Sequence, residues 1–152
     1  MGGKGKLDSY ISELLSLKAS TDAIVWGFTI GALVSFTPTW GIHTLLIMGL
    51  TAALQKNFTA AYISSWIFGN PLVAFPVYAL EYRIGLALTS LEPISIPSRF
   101  SFAELLALGW HFIIPAFAGC LVVAPLLAAP VHFGFKAWLR NRRRKLEGAE
   151  GN

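Results

Sequence analysis

His43 directly follows Pro38-Thr39-Trp40-Gly41-Ile42. Proline withholds a helical donor and glycine allows a sharp turn, so a helix breaks here. An imidazole at such a break can carry a proton or donate to a bound group. It can equally be a neutral ring satisfied by backbone beside the turn. A second break lies at Gly69-Asn70-Pro71. The Asn70 carboxamide can bind a ligand or cap the freed backbone, and Asn favours the cap. Each break starts a new helix whose first N–H groups lack intrahelical partners, a setting suited to a phosphate or another anion. Glu81 and Arg83 follow. Two residues apart, they do not face each other on a helix. They belong near a far interface if the chain runs straight on, and near the breaks if it bends back at Asn70-Pro71. The candidate binding residues are therefore Pro38, Trp40, Gly41, His43, Asn70, Pro71, Glu81 and Arg83.

Enzymatic chemistry has no footing in the remaining residues. There is no Ser/His/Asp arrangement, no phosphate-binding loop, no His-Glu-x-x-His and no carboxylate cluster. We expect no catalytic residue, no cofactor and no metal. His111 and His132 lie in an apolar stretch with only Glu104 as an acidic neighbour. The single cysteine, Cys120, cannot form an internal disulfide and reads as a small buried hydrophobe.

The elements that must position these residues are apolar. Of 152 residues, 55% are hydrophobic and 13% charged, against roughly 25% charged in soluble domains. From Ala23 to Ala103 the charged residues are Lys56, Glu81, Arg83, Glu92 and Arg99. A soluble core of this size could not hide so much apolar surface, which predicts an integral membrane protein. Residues 1–22 lack a cleavable-signal pattern. Leu7, Tyr10, Ile11, Leu14, Leu15 and Lys18 recur at helical spacing, as in an amphipathic helix on a membrane surface or on the protein itself. A membrane domain over 23–135 and a basic tail over 136–152 complete the organisation.

Within that domain, Ala23–Phe36 and Ile42–Leu54 are each too short to cross. Fourteen helical residues reach about 21 Å, against about 30 Å of hydrocarbon. Around the Pro38–Gly41 break they predict a re-entrant hairpin, the alternative being one broken crossing helix. Phe58–Leu88 suffices to cross with a kink at Gly69–Pro71. Leu91–Ser101 reads as a loop. Phe102–Phe135, with Pro115, Pro125 and Pro130, exceeds one crossing, so part of it should lie in the interface or bend back. The expected fold is all-α, with an N-terminal amphipathic helix, a re-entrant hairpin and broken transmembrane helices.

Charge orients this arrangement. Lys136, Arg140, Arg142, Arg143, Arg144 and Lys145 are half of the twelve basic residues. Directly after an apolar stretch, such a run holds a tail in the cytoplasm and attracts anionic lipid headgroups. We prefer that reading of the net charge of +4 to nucleic-acid binding. Lys4, Lys6, Lys18 and Lys56 put the N-terminus on the same side. Gly27 and Gly31 form a small-xxx-small pair for close helix packing, within the chain or between copies.

Taken in order, Gly27–Gly31, Phe36–Thr44, Asn57, Trp66–Pro71, Pro76, Tyr78 and Tyr82–Gly85 resemble the bacterial domain of unknown function 2062 over about residues 20–135. The resemblance implies a small multi-pass protein of the bacterial inner membrane. Some relatives carry this domain beside a glycosyltransferase, which implies a loose link to cell-envelope or lipid-linked sugar chemistry. From the residues themselves we expect a transporter-like or lipid-handling protein. Its site for an anionic headgroup or small solute would lie at the two breaks, and it would be homo-oligomeric. The alternative is a membrane scaffold for a cell-envelope enzyme or complex.

Overall fold

The computed structural model describes residues 19–39, 41–93 and 102–150. Among them are five helices and no strand: α1 (Thr21–Ser35), α2 (His43–Ala53), α3 (Phe58–Phe68), α4 (Pro71–Thr89) and α5 (Phe102–Glu150). The amphipathic segment expected before Ala19 lies outside the described residues, as do Trp40 and most of the Leu91–Ser101 loop.

Local chemistry sets the boundaries. Ser20 caps α1 by accepting from the Ala23 amide, and Asn57 caps α3 through Ala60, each satisfying a donor that the first turn leaves free. At the end of α1, Phe36 and Thr37 still bond back to Ala32, Leu33 and Val34 before Pro38. Gly41 then takes φ +87°, a left-handed conformation that glycine adopts without strain. Helix α4 ends at Ser90, also left-handed.

Helix direction follows from close approaches. Gly27 lies against the carbonyl of Asn57 and Gly31 against that of Ala61. A four-residue step along α1 matches a four-residue step in the same sense along α3, so the two run parallel in backbone contact. Gly85 lies against Pro115, and Gly119 against the Glu81 carbonyl. Here the steps oppose, so α4 and α5 are antiparallel. Arg143 bonds to Ala19 and Thr21, and Thr29 to His132, so α5 is also antiparallel to α1. Helices α3 and α4 therefore run in one sense, and the Gly69–Pro71 break bends a continuing passage without reversing it.

The α1–α2 unit does fold back. Its two ends meet, with the Asn57 amide 3.1 Å from the Ala23 carbonyl and Lys56 Nζ 3.1 Å from Asp22. Hairpin ends and basic tail thus share one end of the molecule. The core packs Ile24, Val25, Phe28 and Ile63 against Leu139 at that end, and Ala32, Phe36, Cys120 and Ala124 further along. Phe28 stacks on Phe135 with centroids 3.8 Å apart.

Helix α4, with 19 residues, and Gly109–Lys145 of α5, with 37, are long and apolar enough to cross a membrane; α1, α2 and α3 are shorter. The fourth stretch differs from expectation, because it neither bends back nor stops at Phe135. It is one helix of 49 residues that carries three prolines and runs into the basic segment. Pro125 and Pro130 lie on exposed positions. Large apolar side chains also face outward, including Leu72 (84% exposed), Leu121 (79%), Leu126, Phe133, Leu45 and Met48. Soluble monomers rarely expose apolar surface on this scale.

Candidate functional site

The two breaks converge. Between them lies a cavity of about 660 Å³ whose wall includes Gly41, His43, Asn70 and Pro71. Four of the residues singled out from sequence are thus brought together by two separate helix interruptions.

The floor comes from residues the sequence reading did not select. Ser35 at the end of α1, Ser65 on α3 and Tyr78 on α4 all line it and are buried. The Ser35 hydroxyl donates to the Gly31 carbonyl at 2.8 Å and lies 3.3 Å from the Ser65 carbonyl. Tyr78 donates toward the Ser35 and Thr37 carbonyls, at 3.2 and 3.3 Å. The Ser35 carbonyl is one that the end of α1 cannot satisfy within its own helix, and the Thr37 carbonyl beyond it also accepts from the Thr39 amide at 2.8 Å. Thr37 Oγ1 donates to the Val34 carbonyl at 2.7 Å. The broken backbone is therefore covered by the chain's own side chains.

One sequence signal pointed to this floor. The small-residue step of Gly27 and Gly31 continues to Ser35, and its partner run Ala61, Ser65 and Gly69 has the same step. Gly27 and Gly31 are spent within the chain, against Asn57 and Ala61.

The two helix starts differ. Asn70 Oδ1 accepts from the Leu72 amide at 3.0 Å, and Pro71 fills the first position of α4, so that start is capped. The start of α2 at Ile42 has no side-chain cap among the described residues, and His43 and Thr44 stand beside it on the cavity wall. His43 is half-buried, and burial holds its imidazole below the ordinary value of 6.5. The ring is neutral at pH 7, with one donor and one acceptor nitrogen. At the mouth, exposed Trp66 and Phe75 stand on the wall, and Trp66 meets Tyr62 edge to face at 6.2 Å. Among the described residues, no Lys, Arg, Asp or Glu lines the cavity.

The other described residues singled out from sequence lie apart from the cavity. Pro38 is half-buried in the break but is absent from the cavity wall. Arg83 is exposed and Glu81 fully buried, both away from the cavity. The physical reason is that α4 continues in the direction of α3 and so carries both residues past the breaks. Glu81 lies in the α4–α5 seam, where the close neighbours are Gly119 and the Cys120 thiol. The basic tail is not uniformly free for lipid. Arg143 donates to the Ala19 carbonyl and Thr21 Oγ1, and Arg142 sits 5.9 Å over the Trp138 ring. Arg140, Arg144 and Lys145 are exposed. Among the described residues no group of His, Cys, Asp and Glu could hold a metal ion.

Fold and site together define an all-helical protein with two helices of membrane-crossing length and a cavity built from two broken helices. The chain belongs to the domain of unknown function 2062 family (DUF2062), described as uncharacterised protein conserved in bacteria, and matches it over residues 6–147. No curated protein and no solved structure matches it.

Proposed function

We propose that this is an integral protein of the bacterial inner membrane that binds an amphiphile at the paired breaks, as a lipid-handling or transporter-like protein. The α1–α2 hairpin is re-entrant, while α3–α4 and α5 cross. The Asp22–Lys56 end and the basic tail face the cytoplasm, as the bias of basic residues toward that side requires. Exposed side chains such as Leu72, Leu121 and Leu126 then meet lipid.

The observation that carries the binding role is the cavity itself. Interrupted membrane helices are tolerated where they line a cavity, and paired interruptions mark sites in transporters. The lining divides by chemistry. Trp66 and Phe75 at the mouth suit an apolar chain. His43, Ser35 and the uncapped start of α2 suit a polar or anionic head, held by hydrogen bonds because no cationic side chain among the described residues lines the wall. A role as an assembly subunit rests on less, since Gly27 and Gly31 are buried against α3. Homo-oligomers remain part of the proposal, with the outward Leu45 and Met48 of α2 as the uncovered face.

The test is native mass spectrometry of the protein taken from nanodiscs of bacterial lipid extract. A retained lipid should be lost in Trp66→Ala and His43→Ala but kept in Leu121→Ala, which alters an exposed position away from the cavity. Equal retention in all three variants would overturn the binding role.

A further inference from the structure

Outside the cavity, the described residues hold one buried carboxyl. Glu81 has no exposed surface, and neither carboxyl oxygen has a hydrogen-bond partner within ordinary geometry. The seam around it excludes water by construction. Gly119 brings the α5 backbone against the Glu81 carbonyl, and Gly85 does the same with Pro115 one turn on. Facing the carboxyl from α5 is the Cys120 thiol, a weak donor. On α4 the titratable neighbours are Tyr78, Tyr82 and Arg83. Tyr78 is turned to the α1 carbonyls, Tyr82 stacks on Phe112, and Arg83 is exposed. From α1 the residues reaching Cys120 are Ala32 and Phe36, which carry no charge.

An ionised carboxylate in this place would be a buried charge with no partner, the costliest arrangement a packed interior can hold. We propose that Glu81 is a proton-binding site: the carboxyl holds a proton while α4 and α5 are closed and releases it when they part. In that step the carboxyl O–H bond breaks, its electron pair stays on the oxygen, and the proton passes to water. Two features of α4 give the seam a way to open toward the cavity. Tyr78, one turn before Glu81, is part of the cavity floor. Pro76 lies inside the same helix and removes a backbone hydrogen bond there, a recognised cause of helix bending. Ionisable groups inside membrane segments commonly serve as proton relays. The inference does not depend on any ligand entering the cavity.

Cys120 is the natural probe, because it is the single cysteine and neighbours Glu81. Its alkylation by N-ethylmaleimide is to be measured in liposomes from pH 5 to 9, in the native protein and in Glu81→Gln. Taking the ratio of the two rates removes the thiol's own titration. The ratio should climb with pH, by up to about tenfold per unit while the carboxylate is the minor form. Infrared spectra should show a protonated-carboxyl band that Glu81→Gln lacks. A ratio that stays flat across this range, or a native spectrum without that band, overturns the proposal. If Glu81→Gln does not assemble, Cys120→Ser on the native carboxyl decides. The band must then persist and shift, because its neighbouring donor has changed; an unmoved or absent band counts against the assignment.

Discussion

The hydroxyl of Tyr78 on α4 lies 3.2 Å from the carbonyl of Ser35, the last residue of α1. It joins α4 to the tip of the hairpin near the two breaks. Removing the hydroxyl leaves the Ser35 carbonyl without this donor, while the Thr37 carbonyl keeps the Thr39 amide at 2.8 Å. Tyr78→Phe should therefore lower stability by about 1–3 kcal/mol, read as a fall in thermal unfolding midpoint in detergent. It should also weaken lipid retention. Tyr78→Phe with an unchanged midpoint would mean that the hairpin tip is held by other contacts.

The glycines divide sharply by what surrounds them. A methyl group at Gly31 would strike the Ala61 carbonyl, and one at Gly119 the Glu81 carbonyl, whereas Gly49 and Gly134 face open space. Gly31→Ala and Gly119→Ala should each cost about 1–3 kcal/mol through overpacking. Gly49→Ala and Gly134→Ala should be neutral or slightly stabilising, because alanine is the better helix former by about 1 kcal/mol. Chemical denaturation of the four variants measures this directly. Equal effects at all four positions would refute the close helix contacts.

These contacts also show what was legible in the sequence. Both breaks could be read from Pro38–Gly41 and Gly69–Pro71, because proline and glycine act on their own backbone. The fold-back of α2 on α1 was legible in the same break, between two short apolar runs. The place of Glu81 could not be read, since it depends on the register of α5 against α4, set by Gly85 and Gly119 far apart in the chain. Those glycines sit in apolar runs with nothing local to name their partners. Ser35 and Ser65 sit between these cases: their four-residue spacing was present in the sequence, but its meaning required knowing that α1 and α3 run parallel.

Topology gives a prediction of its own. Lys56 stands at the basic end beside Asp22, whereas Glu92 lies past the far end of α4. In a Cys120→Ser background, Lys56→Cys should react with an impermeant maleimide only from the cytoplasmic face. Glu92→Cys should react only from the opposite face. Both labelled from one side would eliminate the crossing by α3–α4.

His43 sets a pH dependence whose sign is fixed by burial. Its imidazole is held below 6.5 in the folded protein, so the unfolded chain binds a proton more readily. Stability then rises with pH wherever the unfolded state carries more protons. The His43 contribution is fully present above pH 6.5, and it declines as pH falls from there toward the lower folded value. His43→Gln keeps a donor and an acceptor but does not titrate, so it should flatten that part of the profile. Unfolding midpoints of the native protein and this variant, compared from pH 7.5 down to pH 5, read out the difference. The half-exposed ring is screened by solvent, so the two curves should diverge modestly and only on the acid side. Divergence on the alkaline side, or parallel curves throughout, would place His43 in water and away from the cavity wall.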